Sequence, residues 1–331
     1  MKPMKTIKFL LILLIALVTL QILFTFSKQN DTTPDDNYYN YAKNNYRVFN
    51  LYIPDQITFL DEKVPLDNYY VRERLERELF AVTFWHSRTF LILKRSRRYF
   101  PLFEKILKEY SIPDDFKYLA MAESELTHVV SPAGAESIWQ FLKKTAIKYD
   151  LEINDYVDER YNVEKSTYVA CQYLIEANKT FKNWTLSAAA YNTGSSRVVT
   201  ALKEQQVDSY YNLTLLAETN RYIYRILAYK LIYENPTRYG FFLRNKDLYH
   251  PIPVIQLEID TTIANLYNFA IQNKSNYLLL KEHNTWLRDT SLPNKSGKKY
   301  IISIPKHYSY NKLISEIENP YHLMNDSVPF P

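Results

Sequence analysis

Apolar positions recur at helical spacing over most of the chain. Leu75, Leu79, Val82, His86, Phe90 and Leu93 follow a three-to-four rhythm that predicts a long amphipathic helix. Lys94, Arg95, Arg97 and Arg98 would close it, and Phe100 to Tyr110 would form a short helix of its own. Two readings of the basic run are open: cations complementing a helix C-terminus, or a patch facing glycan or lipid. The next helix carries Phe116, Leu119, Ala120, Glu123, Leu126 and Thr127 on one face. Ser111 and Asp114 form a capping-box-like start, with Pro113 near the first helical position. Further helices are expected over Ser166–Phe181, Leu186–Asn192 and Leu215–Tyr233, and the alanines at 188–190 would let backbones approach closely.

The pattern changes after Tyr249. Val254–Ile259 reads as a strand, Ile263 to Ile271 and Tyr277 to Leu287 as helices, and Tyr300, Ile302 and Ile304 alternate in a last strand. That β-α-α-β order points to a small second module over 249–306. His307 to Pro331 is expected to be an irregular tail.

At the other end, Phe9 to Phe26 is a run without charge, preceded by Lys2, Lys5 and Lys8. As a helix it would rise roughly 27 Å, against a bilayer core of about 30 Å. It exceeds the ~7–15 apolar residues of a cleaved signal peptide, and no clean Ala-x-Ala site is visible. We expect a signal anchor over 1–27 with its basic end in the cytoplasm. A cleaved signal peptide is the alternative, and either would export the remainder. Residues 28–70 read as a polar tether followed by an irregular or briefly extended segment.

Composition adds limits rather than a function. The 331 residues, 47% hydrophobic and 23% charged, leave room for a sizeable core and two domains. A net charge of +5 is mild, and no nucleic-acid motif accompanies it. Thirty tyrosines can serve sugar stacking or ordinary cores. Cys171 stands alone, so no intrachain disulfide can form, and it reads as a small core residue. The six histidines show no i, i+4 pair, which gives a metal site no support.

The one residue that breaks the helical pattern chemically is Glu123. It falls where an apolar residue belongs, while Glu125 points elsewhere. Burial of a carboxylate is costly unless it is paired or protonated, and it raises the pKa toward the range of a general acid. The bland alternative is a solvated or salt-bridged Glu near a helix end.

Four blocks follow one another: Ala122-Glu-Ser-Glu-Leu126, then Ser131-Pro-Ala-Gly-Ala135 leading to Trp139-Gln-Phe141, then Ala190-Tyr-Asn-Thr-Gly194, and Glu218-Thr219 with Tyr222. Together they resemble the lytic transglycosylase domain of the membrane-bound lytic murein transglycosylase D family over about residues 100–242. The resemblance implies a mainly α, lysozyme-like helical domain over 71–242, following the transmembrane helix and tether. It also implies non-hydrolytic cleavage of the β-1,4 bond between N-acetylmuramic acid and N-acetylglucosamine in peptidoglycan, leaving 1,6-anhydro ends. Glu123 would be the single acid and base, with no metal or organic cofactor. Ser131, Gln140, Tyr191, Asn192 and Tyr222 would contact the sugar or orient Glu123. Bland readings stand beside these: Ser131 as a turn cap, Ser137 with Gln140 as a capping box, Tyr191 as a packed ring, and Asn192 as a helix cap. The 249–306 module resembles a divergent LysM fold, with Asp260-Thr-Thr-Ile263 where Gly-Asp-Thr-Leu is usual. The implied partners are glycan strands and, through the N-terminal helix, the membrane; the implied place is the periplasmic side of the cell envelope.

One departure matters. Family members usually carry small residues, commonly Ala-Gly, where Glu136 and Ser137 stand. If position 137 needs a positive φ, serine costs about 1 kcal/mol. Glu136 could raise the pKa of Glu123 or repel an acidic glycan. A glycan-binding domain without cleavage, and a hydrolytic muramidase, are the alternatives to the transglycosylase.

Overall fold

The computed structural model describes residues 9, 12–21, 33–45, 48–306 and 309–325. It divides into two units, Met1–Val48 and Phe49–Pro331. In the first unit, residues 12–21 are helical. Residues 1–8, 10–11 and 22–27 of the expected anchor lie outside the described residues, and among those described no helix is long and apolar enough to cross a membrane. The expected tether is not all irregular: Pro34–Asn45 is a helix. Thr33 and Asp36 cap it reciprocally, the Thr33 amide donating to Asp36 at 3.0 Å and the Asp36 amide donating to Thr33 Oγ1 at 3.2 Å.

The second unit starts with the irregular, briefly extended segment expected after the tether. Leu51, Ile53, Ile57, Phe59, Leu60, Val64 and Leu66 are buried in the main core. Strands β1 (Thr58–Phe59) and β2 (Glu62–Lys63) form a tight hairpin within this segment. Glu62 then caps α6 (Trp184–Thr193), accepting from the amides of Trp184 at 2.9 Å and Thr185 at 3.3 Å. A carboxylate suits a helix N-terminus. This segment contributes its apolar side chains to the core, while Asp55, Gln56, Asp61 and Lys63 stay exposed.

Helix α1 (Tyr69–Phe84) starts at Asn68, whose side chain accepts from the Tyr70 amide at 3.0 Å. The expected 75–93 helix breaks at Trp85. Helix α2 then runs uninterrupted from His86 to Glu109, with Pro101 inside it. The basic run 94–98 therefore sits in mid-helix. The tertiary core overrides the cue: Phe100, Phe103, Ile106 and Leu107 continue the buried face past Pro101.

Helix α3 (Lys117–Ser124) is preceded by a 3₁₀ turn at Asp114–Phe116. Ser111 does not cap it; its φ is 55°. Helix α5 (Val163–Phe181), α6, α7 (Ser195–Gln205) and α8 (Ala217–Glu234) complete the helical core, and a short α4 (Lys143–Lys148) lies before them. Helix α8 packs on α1, α3 and α6. Ala188, Ala189 and Ala190 are fully buried, and α6 packs chiefly on α5, α7 and α8 rather than on α3. Buried Glu78 on α1 pairs with Arg221 at 2.6 Å and Arg225 at 3.5 Å on α8. Cys171 is buried without a disulfide, and burial pushes its thiol up to about 12.

The C-terminal module has the expected order: β5 (Val254–Ile259), α9 (Leu266–Gln272), α10 (Tyr277–His283) and β6 (Tyr300–Pro305). The strands pair antiparallel, Ile259 opposite Tyr300 and Val254 opposite Pro305. Its core joins Leu266, Ala270, Leu280, Leu292 and Ile302 to Val157 and Tyr161 of the helical part. Lys298 pairs with Glu152 at 2.5 Å, and the Asp158 amide donates to the Trp286 carbonyl at 2.9 Å. The tail is also ordered where described. Helix α11 spans Tyr310–Ser315, Leu323 and Met324 are buried, and the Met324 amide donates to the Leu243 carbonyl at 2.7 Å.

Candidate active site

A cleft of about 590 Å³ opens beside the end of α3. Glu123, Ser131, Gln140, Tyr191 and Asn192 line it, so five of the six residues singled out in the sequence share one cavity. Tyr222, the sixth, reaches it from behind: its hydroxyl donates to Glu123 Oε1.

Glu123 is half-buried in the last turn of α3. Ser124 beside it is buried and donates to the Ile138 carbonyl at 2.8 Å, which ties the helix end to the cleft loop. Glu125 and Leu126 then take left-handed conformations, at φ 56° and 58°. Glu125 pairs with Arg88 and does not line the cleft, but the helix has already ended, so the left-handed turn rather than the helical face sets its direction.

Loss of hydration pushes the Glu123 carboxyl up to about 7. The Tyr222 hydrogen bond opposes that shift, the Glu218 charge adds to it, and the Arg225 charge opposes it. Burial holds the Tyr222 phenol far above its usual range, so it remains a donor at any physiological pH.

Ser131, Gln140 and Tyr191 are held by backbone groups, and Asn192 by a side chain. Ser131 Oγ accepts from the Ala135 amide at 2.9 Å, across a turn whose Gly134 has φ 78°. Ser131 is thus a turn cap and a wall residue at once. Trp139, Gln140 and Phe141 do not open a helix. Trp139 is buried, and Phe141–Leu142 forms β4, paired with β3 (Ala135–Glu136). Nor do Ser137 and Gln140 form a capping box. Gln140 has φ 51°, and its amide nitrogen donates to the carbonyls of Ser137 at 2.6 Å and Val129 at 3.0 Å. Tyr191 donates to the Trp139 carbonyl at 2.7 Å and meets Tyr173 edge-on at 5.2 Å. Asn192 accepts from the Thr219 hydroxyl at 2.8 Å.

Glu136 and Ser137 resolve differently. Glu136 turns away from Glu123. It accepts from the Tyr161 hydroxyl at 2.8 Å and pairs with buried Arg160 at 3.0 Å. Ser137 does carry the strained backbone, at φ 71°. It is buried, and its hydroxyl is hydrogen-bonded to His128 Nδ1 at 2.9 Å. Burial and the Arg288 charge push His128 down to about 4, so the ring is neutral at physiological pH.

The cleft adds residues not singled out individually as site residues. Glu218 and Tyr173 line it beside Glu123. Glu218 had a legible signal: it lies four residues before Tyr222 on α8, on the same helical face.

A transglycosylase SLT domain model matches residues 101–214. A soluble lytic transglycosylase C-terminal LysM-like domain model matches residues 255–308. The chain is 28% identical over 247 residues to membrane-bound lytic murein transglycosylase D from Escherichia coli K12, covering 73% of this chain and 53% of the relative. The protein of the same name from Escherichia coli O6:H1 matches to the same extent. The chain therefore spans about half the length of the curated relatives it matches. The two matches lie in tandem along the chain, the transglycosylase SLT domain first and the LysM-like domain of the soluble lytic transglycosylase type after it.

Proposed function

We propose that this protein is a peptidoglycan lytic transglycosylase of lysozyme-like architecture, with Glu123 as its single acid and base. The observation that carries the reading is a half-buried carboxyl, protonated up to about pH 7, at the wall of a large open cleft. A general acid works best with a pKa near the operating pH.

Glu123 donates its proton to the glycosidic oxygen as the bond to the muramic acid breaks. The substrate's N-acetyl group stabilises the cationic centre. Glu123, now a carboxylate, takes the proton of the muramyl 6-hydroxyl, which attacks within the same sugar and closes the 1,6-anhydro ring. Tyr222 fixes the carboxyl's direction and stabilises its charged form midway. Ser131, Gln140, Tyr191 and Asn192 position the sugar, and the reaction asks for no metal or organic cofactor. We place the enzyme at the cell envelope, with the 1–27 segment as its anchor.

The second carboxylate in the cleft, Glu218, supports a competing hydrolytic reading, since ordinary glycosidases use two carboxyl groups. Digestion of purified sacculi with mass analysis separates the two. Anhydro ends are lighter by one water than reducing ends and take no labelled oxygen from solvent. We expect anhydro products from the wild type and none from Glu123→Gln. Reducing ends, or undiminished cleavage by that variant, would reject the assignment.

A further inference from the structure

The basic run on α2 is not accounted for by the cleft. In mid-helix it has no helix terminus to complement. Among the described residues, no carboxylate lies within ion-pairing distance of Lys94, Arg95, Arg97 or Arg98. A solvated row of cations would explain this, but Lys94 and Arg95 are half-buried, and the row lines an open pocket. Arg95 and Arg98, one turn apart, line a pocket of about 270 Å³ with Tyr99, Leu126, His128 and Tyr249. The Tyr249 amide donates to the Lys94 carbonyl at 3.0 Å, and the Tyr249 ring lies under the Lys94 ammonium at 5.2 Å and the Arg98 guanidinium at 5.7 Å. Partial burial and the nearby Arg98 charge depress Arg95 below its usual value, and Tyr249 and Tyr99 act against this. The same Arg98 charge, after burial, depresses His283 on the C-terminal module. The pocket is positive and unneutralised.

We propose that this pocket binds a carboxylate carried on a peptide. Two guanidiniums on one helical face offer planar forks that match a carboxylate. The rings of Tyr99 and Tyr249 give apolar surface for the body bearing it, which a bare inorganic anion would not use. Resting on the function proposed above, the class of ligand is the peptide that branches from the glycan strand and carries free carboxylates. Arg95 also donates to the Glu125 carbonyl at 3.3 Å, two residues after Glu123. The pocket thus lies behind the turn that ends the α3 helix.

The test is titration of the full chain carrying Glu123→Gln, so that cleavage plays no part. The probes are a sugar-free acidic stem tripeptide, the same tripeptide with its carboxylates amidated, and inorganic phosphate. We expect saturable binding of the acidic tripeptide, weakened about tenfold or more by amidation and by Arg98→Gln, the loss of a charge-assisted pair. Arg98 is exposed, so that change does not threaten the fold. Absence of binding, indifference to Arg98→Gln, or phosphate binding equal to the tripeptide's would overturn the proposal. None of these results bears on the sacculus digestion, which tests the cleft by itself.

Discussion

The Tyr222 hydroxyl on α8 donates to Glu123 Oε1 on α3, across a fully packed helix contact. Two effects therefore meet on one carboxyl. Burial favours the neutral acid, and the phenol favours the anion. A group that must first give and then take back a proton needs both forms accessible, and this pair balances them near neutrality.

Replacing Tyr222 by Phe removes the effect that lowers the Glu123 pKa. The alkaline limb of the pH–rate profile should move to higher pH. The maximal rate should fall about 10- to 100-fold, because the anion loses a charge-assisted hydrogen bond. A pH series on soluble glycan strands reads both. A profile that moves to lower pH would contradict the assignment.

Glu218→Gln acts with the opposite sign on pKa. The carboxylate of Glu218 raises Glu123, so its removal should shift the alkaline limb to lower pH. Anhydro product should still form. If Glu218→Gln abolished cleavage as completely as Glu123→Gln, the two-carboxylate hydrolytic scheme would gain.

Glu123 also links stability to pH. Its folded pKa, about 7, lies above its ordinary value of 4.5, so the folded state binds more protons than the unfolded state between those limits. Its contribution is complete below pH 4.5 and is lost as pH rises through about 7. Glu123→Gln cannot ionise, so above pH 7 it should be more stable than the wild type, by up to about 3 kcal/mol. Urea unfolding at pH 4 and pH 8 should show the advantage at the higher pH alone.

Ser137 combines a strained backbone with a buried hydrogen bond to His128. Ser137→Ala loses the bond, worth about 1 kcal/mol, and keeps the strain. Ser137→Gly loses the bond but relieves about 1 kcal/mol of left-handed strain. Chemical denaturation should therefore find the Ala variant less stable and the Gly variant close to wild type.

Glu136→Gln should leave the pH–rate profile where it is. The carboxylate faces Arg160 and Tyr161, and its charge is not among the influences on Glu123. The cost should fall on stability instead, about 1–2 kcal/mol, because buried Arg160 loses one of its two acidic partners. A displaced profile would revive electrostatic interference with the cleft.

Local patterning carried far in this chain. The face holding Glu123 as far as the helix end at Ser124, the β-α-α-β order of the C-terminal module and the helices expected over 166–181 and 215–233 follow from periodicity, because burying one face is a local demand repeated every turn. Ser131, Gln140, Tyr191, Asn192 and Tyr222 were legible as ordered blocks. What the tertiary structure decided is everything that depends on which distant groups meet. Pro101 does not stop α2, because buried residues on both sides hold one helix together. The apolar residues between 51 and 66 enter the core, and Glu62 meets the open end of α6, more than a hundred residues along the chain. The direction of Glu136 was settled by Arg160 and Tyr161, and the pKa of Glu123 by the loss of water and by Tyr222, 99 residues away. Periodicity reports which side of an element is buried; only packing reports which charge or hydroxyl is waiting there.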